Sequence, residues 1–178
     1  PFFKNYGPFK IDDLLKHLKL KDIKNLGDDL IEDIKDLQTA DQNHLTFFHS
    51  KKYHLHASKT KASHCITHQN LSHYLPKKCK PIHVDNVLLV VSQITSKFYP
   101  DAINDNFDNS VKNIEELNFD NKIQYGQNVL LGENVKIGKN CLIGHNSIVE
   151  KNVNIGSNCS IGSNVIIRNT IIEDNVTI

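Results

Sequence analysis

Residues 125–178 read YGQNVLLGENVKIGKNCLIGHNSIVEKNVNIGSNCSIGSNVIIRNTIIEDNVTI. An apolar residue recurs every six positions, at Tyr125, Leu131, Ile137, Ile143, Val149, Ile155, Ile161 and Ile167. Gly follows six of these eight, and Asn stands three residues after seven of them, from Asn128 to Asn164. The position two before each is small or β-branched: Ile123, Val129, Val135, Cys141, Ser147, Val153, Cys159 and Val165. An internal repeat decides architecture before local propensity does. A period of six is neither the 2 of a strand nor the 3.6 of a helix, so each unit is a short strand plus a turn. Asn tolerates the left-handed backbone region and Gly adopts it without steric cost, which supplies a corner to every unit. Three units close a triangular coil, with the large apolar residue inside and the small one sharing the interior near a corner. Stacked at the strand spacing, three such coils make a prism about 14 Å long. Leu117 and Phe119 extend the register backwards by one unit. After Ile167 it slips by one residue and resumes at Ile172, Asn175 and Ile178, a slip that an altered corner absorbs.

The first hundred residues follow other rules. Ile11, Leu14, Leu15 and Leu18 lie at i, i+3, i+4 and i+7, one face of a helix. Residues 44–49 (HLTFFH) and 62–68 (ASHCITH) have strand composition, separated by a charged stretch of about a dozen residues with helical character. Pro81 to Val84 reads as another short strand. Residues 87–98 (VLLVVSQITSKF) are apolar enough for a buried helix, which Tyr99-Pro100 ends. The chain therefore reads as an α/β domain over 1–100, a polar connection over 101–122, and a parallel β-helix over 123–178 that the sequence leaves after about three coils.

The whole chain has 178 residues and a formal net charge of +1. Residues 1–100 hold 15 Lys against 10 acidic residues, but the lysines are dispersed and the chain has a single Arg. Neither an Arg fork nor a basic stripe is present to grip nucleic acid. No apolar run approaches the roughly 18 residues of a membrane span, and the chain opens with no export signal, so the expected compartment is the cytoplasm. Cys65, Cys79, Cys141 and Cys159 are too scattered for a disulfide framework and read as reduced thiols. The chain has no Met and stops inside its repeat, which suggests a piece of a longer protein.

The (Ile/Leu/Val)-Gly-x-Asn repeat resembles the left-handed parallel β-helix acyltransferases. Leu45-Thr46-Phe47-Phe48-His49-Ser50-Lys51-Lys52-Tyr53, followed by Thr60-Lys61-Ala62 leading into a strand, resembles the uridine-binding domain of the UDP-3-O-acylglucosamine N-acyltransferase family. The order of parts also fits: a small α/β domain, a helix ending in Tyr-Pro, then hexapeptides. The resemblance implies that Phe47 and Tyr53 hold uracil between their rings, with Ser50 at the base edge. Stacking against an aromatic ring is worth about 1–3 kcal/mol per base. The family more often has Asn at the Ser50 position. Asn donates and accepts in one plane, whereas a hydroxyl is shorter and rotates, so Ser50 acts through water or starts the next helix. By alternation, Phe47 and Phe48 face opposite sides of their strand and one of them faces a core.

Other chemistry is weaker. His64, Cys65, His68, Cys79 and His83 match no established zinc spacing. Cys141 and Cys159 occupy the small inward position of the repeat and read as filling. His145, the prism's only His, has the right chemistry for a general base, but it sits at an ordinary turn position. The family's catalytic His follows a Gly-Phe-Gly segment that this sequence lacks, so the base is expected beyond Ile178. The resemblance further implies an enzyme of lipid A assembly that moves a 3-hydroxyacyl chain from acyl carrier protein to the 2-amine of UDP-3-O-acylglucosamine. It implies no metal or other cofactor, and a homotrimer for the full-length protein. The alternative is a non-catalytic hexapeptide scaffold or trimerisation module.

Overall fold

The computed structural model describes residues 2–16, 18, 27–102, 106–117 and 122–178. The chain divides into two units, Phe3–Asn104 and, grouped with Pro1–Phe2, Asp105–Ile178. The place given above to Phe119 lies outside the described residues.

In the first unit, β1 (Phe9–Lys10) runs into α1 (Ile11–Leu15) and pairs antiparallel with β2 (Leu30–Ile31). A four-stranded parallel sheet follows, built from β3 (Asp33–Ile34), β4 (His44–Phe48), β5 (His64–Thr67) and β6 (Lys80–His83) in that spatial order. Between β4 and β5 the chain makes a 3-10 turn at Lys51–Tyr53 and the short helix α2 (His54–Ala57). Pro81 lies in β6 at the sheet's edge, where its missing N–H leaves no ladder bond unmade.

The helix α3 spans Val87–Phe98, the stretch read as a buried helix, and it buries one face. Val87, Val90, Ile94 and Phe98 face the sheet and are buried, whereas Leu88 and Leu89 are more than half exposed. The Asn86 side chain accepts from the Leu89 N–H at 3.0 Å, capping the first turn. At the other end, the Tyr99 hydroxyl donates to Asp33 Oδ2 at 2.7 Å and Lys35 approaches the same carboxylate at 3.1 Å. Burial and the Asp33 carboxylate push the Tyr99 hydroxyl up to about 12.

Strand alternation sorts the sheet's side chains into two cores. Leu45, Ile66 and Ile82 join α1 and α3 on one side. Phe48 and Cys65 join Ala57, Leu71 and Cys79 on the other.

The second unit is a three-sided parallel β-helix. Strands one coil apart pair in parallel at a register of 18 residues, as in Lys136↔Asn154, Leu142↔Ser160 and Ile148↔Ile166. Ile137, Ile143, Ile155 and Ile161 are all inside, none more than 4% exposed. Tyr125, counted with them in the repeat, is half exposed on the first coil. The register slip is real: Asn154 pairs with Ile171 and Ile155 with Ile172, a spacing of 17.

The corners divide their labour differently from the expectation. Nine Asn, from Asn128 to Asn175 and including Asn169 at the slip, take φ between 49° and 63°. Among the described residues the only Gly at positive φ is Gly27, outside the repeat. The repeat glycines are needed for space. A Cβ on Gly126, Gly138, Gly144 or Gly156 would lie 2.5–2.7 Å from the nearest backbone atom of the next coil. The Asn side chains also stack, Asn128 Nδ2 donating to Asn146 Oδ1 at 3.0 Å and Asn140 to Asn158 at 3.3 Å. Where Glu150 and Arg168 stand in place of Gly, they share one column and form an ion pair at 3.0 Å.

Part of the stretch expected only to connect the domains belongs to this unit. Lys112–Asn113 pairs antiparallel with Leu130–Leu131, and Ile114 is buried against the prism interior. Asp108 Oδ2 accepts from the Lys151 N–H at 2.7 Å, and Ser110 Oγ accepts from the Glu133 N–H at 3.0 Å. These side chains satisfy corner amides that no strand can reach.

Candidate functional site

The three residues expected to hold a base lie where β4 ends and the 3-10 turn begins. Phe48 is fully buried in the core beneath Leu71 and Tyr74. Phe47 points to the other face, where part of its ring packs beside the α3 core and part remains open. Ser50 starts the turn. Its hydroxyl accepts from the Lys52 N–H at 3.4 Å, and its carbonyl accepts from the Tyr53 N–H at 3.0 Å. The turn returns the chain so that Tyr53 is presented at 38% exposure. That contact fits one of the two roles weighed for Ser50, starting the next helix.

A residue that the sequence reading passed over joins the two rings. His49 stacks on Phe47, with ring centroids 6.2 Å apart and planes 24° from parallel. The same imidazole meets Tyr53 at 5.5 Å and 47°. Phe47 and His49 share a face because side chains two apart along an extended strand point the same way, and that alternation was the signal available in the sequence. Lys52 Nζ stands 5.9 Å from the centre of the Tyr53 ring, which adds a cation beside the aromatic strip.

The imagined metal set is not brought together. His64 and Cys65 point to opposite faces of β5, and His83 is exposed. Among the described residues no group of three His, Cys, Asp or Glu side chains is placed to hold a metal ion. Cys65 and Cys79 are buried, and hydrogen bonding to Cys79 together with burial pushes the Cys65 thiol up. His64 is fully buried, with Nδ1 3.0 Å from Ser63 Oγ and Nε2 3.6 Å from Asp29. Burial and the nearby Lys80 charge lower its pKa, with Asp29 opposing them.

In the prism, Cys141 and Cys159 fill the interior, and each thiol donates to a carbonyl of the next coil at 3.1 Å. His145 stands at a corner, where its Nδ1 accepts from the Gln127 N–H at 2.8 Å. That is the place filled by Asp108 and Asp174 at the Lys151 and Ser157 corners.

Comparison with known proteins separates the two halves in the same way. Residues 28–96 match the family described as UDP-3-O-(3-hydroxymyristoyl) glucosamine N-acyltransferase, LpxD. Residues 134–169 match the bacterial transferase hexapeptide, six repeats. Curated relatives named UDP-3-O-acylglucosamine N-acyltransferase include those of Rickettsia prowazekii (strain Madrid E), 32% identical over 100 residues, and Rickettsia canadensis (strain McKiel), 30% identical over 100 residues. That of Rickettsia typhi (strain ATCC VR-144 / Wilmington) is 31% identical over the same length. Each match covers 55% of this chain and 29% of the relative, so the chain spans under a third of the relatives it matches.

Proposed function

We propose, from the premise that the chain belongs through residues 28–96 to the UDP-3-O-acylglucosamine N-acyltransferase family, that it is the nucleotide-binding part of an N-acyltransferase of lipid A biosynthesis. The observation that carries this reading is the ring strip of Phe47 and Tyr53, set around the Ser50 turn inside the matched segment. Aromatic rings suit a uracil face, since a base gains on each ring without a charged partner. The sugar nucleotide is UDP-3-O-acylglucosamine, the acyl donor is a 3-hydroxyacyl chain on acyl carrier protein, and the protein works in the cytoplasm. Among the described residues no helix is long and apolar enough to cross a membrane.

In the transfer, the 2-amine attacks the thioester carbonyl, the thiol leaves, and a general base takes the amine's proton. Residues 1–178 bind and orient the nucleotide end in this reading, and the base lies outside them. His145 is assigned to the corner because Gln127 already holds its Nδ1. The prism is a left-handed coil and the full-length protein a homotrimer.

A second reading, a hexapeptide module that only trimerises, has one observation in its favour. The outward strand positions on one side of the prism are Leu130, Ile148 and Ile166, an apolar column stacked in register.

Titration of UDP against CMP separates the two readings. Phe47→Ala and Tyr53→Ala each weaken UDP binding by about 5- to 150-fold, and Ser50→Asn preserves or strengthens it. Residues 1–178 show no N-acylation with the acyl carrier protein substrate. Unchanged UDP affinity in both aromatic variants overturns the nucleotide site and leaves the scaffold.

A further inference from the structure

We propose that His49 gates the base slot: its imidazole occupies the position between Phe47 and Tyr53, and a base enters by displacing it. The inference rests on the nucleotide reading above and adds to it a residue that controls entry.

The geometry points to a gate because His49 makes ring contacts in both directions, stacked on Phe47 and tilted against Tyr53. A planar base held by both of these rings needs the space that the imidazole now occupies. His49 is partly buried and its ring contacts are with Phe47 and the exposed Tyr53, so the ring can swing toward solvent. The backbone does not have to move: β4 ends at Phe48, and the turn that carries Tyr53 is held separately by the Ser50 cap and carbonyl. In the closed arrangement the imidazole bridges the two rings. In the open one it leaves the space between the two rings to the base, and the side chains close onto it.

Displacement breaks the imidazole's contacts before the base makes its own, so affinity measured on the native chain carries that loss. Aromatic pairs of this kind are worth about 2- to 12-fold in affinity each. His49→Ala, which removes the competing ring and leaves both walls, therefore tightens UDP binding by about 2- to 12-fold for each contact removed. His49→Phe keeps a ring in the slot and enlarges it, and weakens UDP binding.

The experiment is calorimetric titration of UDP into the 178-residue chain and its His49→Ala, His49→Phe, Phe47→Ala and Tyr53→Ala variants. A parallel NMR titration of the native chain follows the His49 ring protons, which shift toward solvent values as UDP binds. Tighter binding by His49→Ala with weaker binding by His49→Phe supports the gate. If both wall variants weaken binding while His49→Ala leaves it unchanged or weaker, the gate is overturned and the nucleotide site stands. If neither wall variant changes UDP affinity, the nucleotide reading itself fails and the gate falls with it.

Discussion

The prism and the α/β unit are held together by opposite kinds of contact. In the prism a residue meets its own counterpart one coil on: Asn128 meets Asn146, Ile148 pairs with Ile166, and one corner amide after another is capped by a side chain from outside its strand. In the α/β unit the defining contacts join unlike residues far apart, as when the Tyr99 hydroxyl ties the end of α3 to Asp33 on the sheet's edge. A contact repeated at a fixed spacing needs only one local rule to be correct, applied many times. A contact made once between distant unlike groups depends on everything that brings the two together.

That difference makes the two regions fail differently. The largest effect is expected from Gly144→Ala, whose Cβ would lie 2.5 Å from both the Gly162 carbonyl carbon and the Ser163 nitrogen. Both are backbone atoms of the next coil, so no side chain can turn away, and the loss is about 3 kcal/mol. Hydrogen exchange resolved along the chain should show lost protection in residues 122–178, with the β4 and β5 amides retaining theirs. Equal loss in both would mean that the two regions unfold as one and would break the comparison.

A smaller effect separates the two roles of a corner Asn. Asn146→Ala forces a Cβ-bearing residue without a helpful side chain to hold φ near 57°, at a cost of about 1–2 kcal/mol. Asn146→Gly restores the backbone freedom but loses the bond to Asn128, at about 0.5–1.5 kcal/mol. Chemical denaturation followed by circular dichroism should rank native above Gly above Ala. If Ala matches or exceeds Gly, the ladder and not the left-handed corner is what Asn supplies.

The smallest effect is a pH dependence confined to the α/β unit. The pKa of His64 is lowered in the fold by burial and by Lys80, so the unfolded chain binds the proton more readily. The stability that rests on neutral His64 is fully present above the ordinary histidine value of about 6.5 and is lost as pH falls through the lower folded value. The slope is bounded by one proton. Thermal unfolding of the native chain between pH 7.5 and 5 should show the decline, and His64→Gln should flatten it. A decline of equal slope in the variant would assign the effect to other groups.

Much of the architecture was legible before any coordinate. The inward positions of Ile137, Ile143, Ile155 and Ile161 followed from the six-residue register. The slip after Ile167 could be placed to the residue. The bounds of α3 followed from its apolar run and the Tyr-Pro that ends it. The two-residue strands at Phe9–Lys10, Leu30–Ile31 and Asp33–Ile34 were not legible. So short a segment has no periodicity to display, and it is a strand only because a partner lies beside it. The polar stretch around Asp108 looked like a linker for a related reason. Its carboxylate has a structural role only once Lys151, 43 residues away, presents an unpaired N–H.

At the candidate site, sequence alone could supply residue types and their spacing: two aromatic residues six apart, a hydroxyl between them, and a resemblance carried by the string from Leu45 to Tyr53. It also determined the prism, because a periodic chain that pairs with itself has its neighbours written into its own repeat. Tertiary structure decided what the remaining groups do. It put Gly at the prism corners for space and not for conformation, since the limiting distance is to another coil. It turned the Ser50 hydroxyl into a cap, and it laid the His49 ring against both Phe47 and Tyr53. Those outcomes depend on distances between groups that no local pattern specifies, and such distances exist only after the chain has closed on itself.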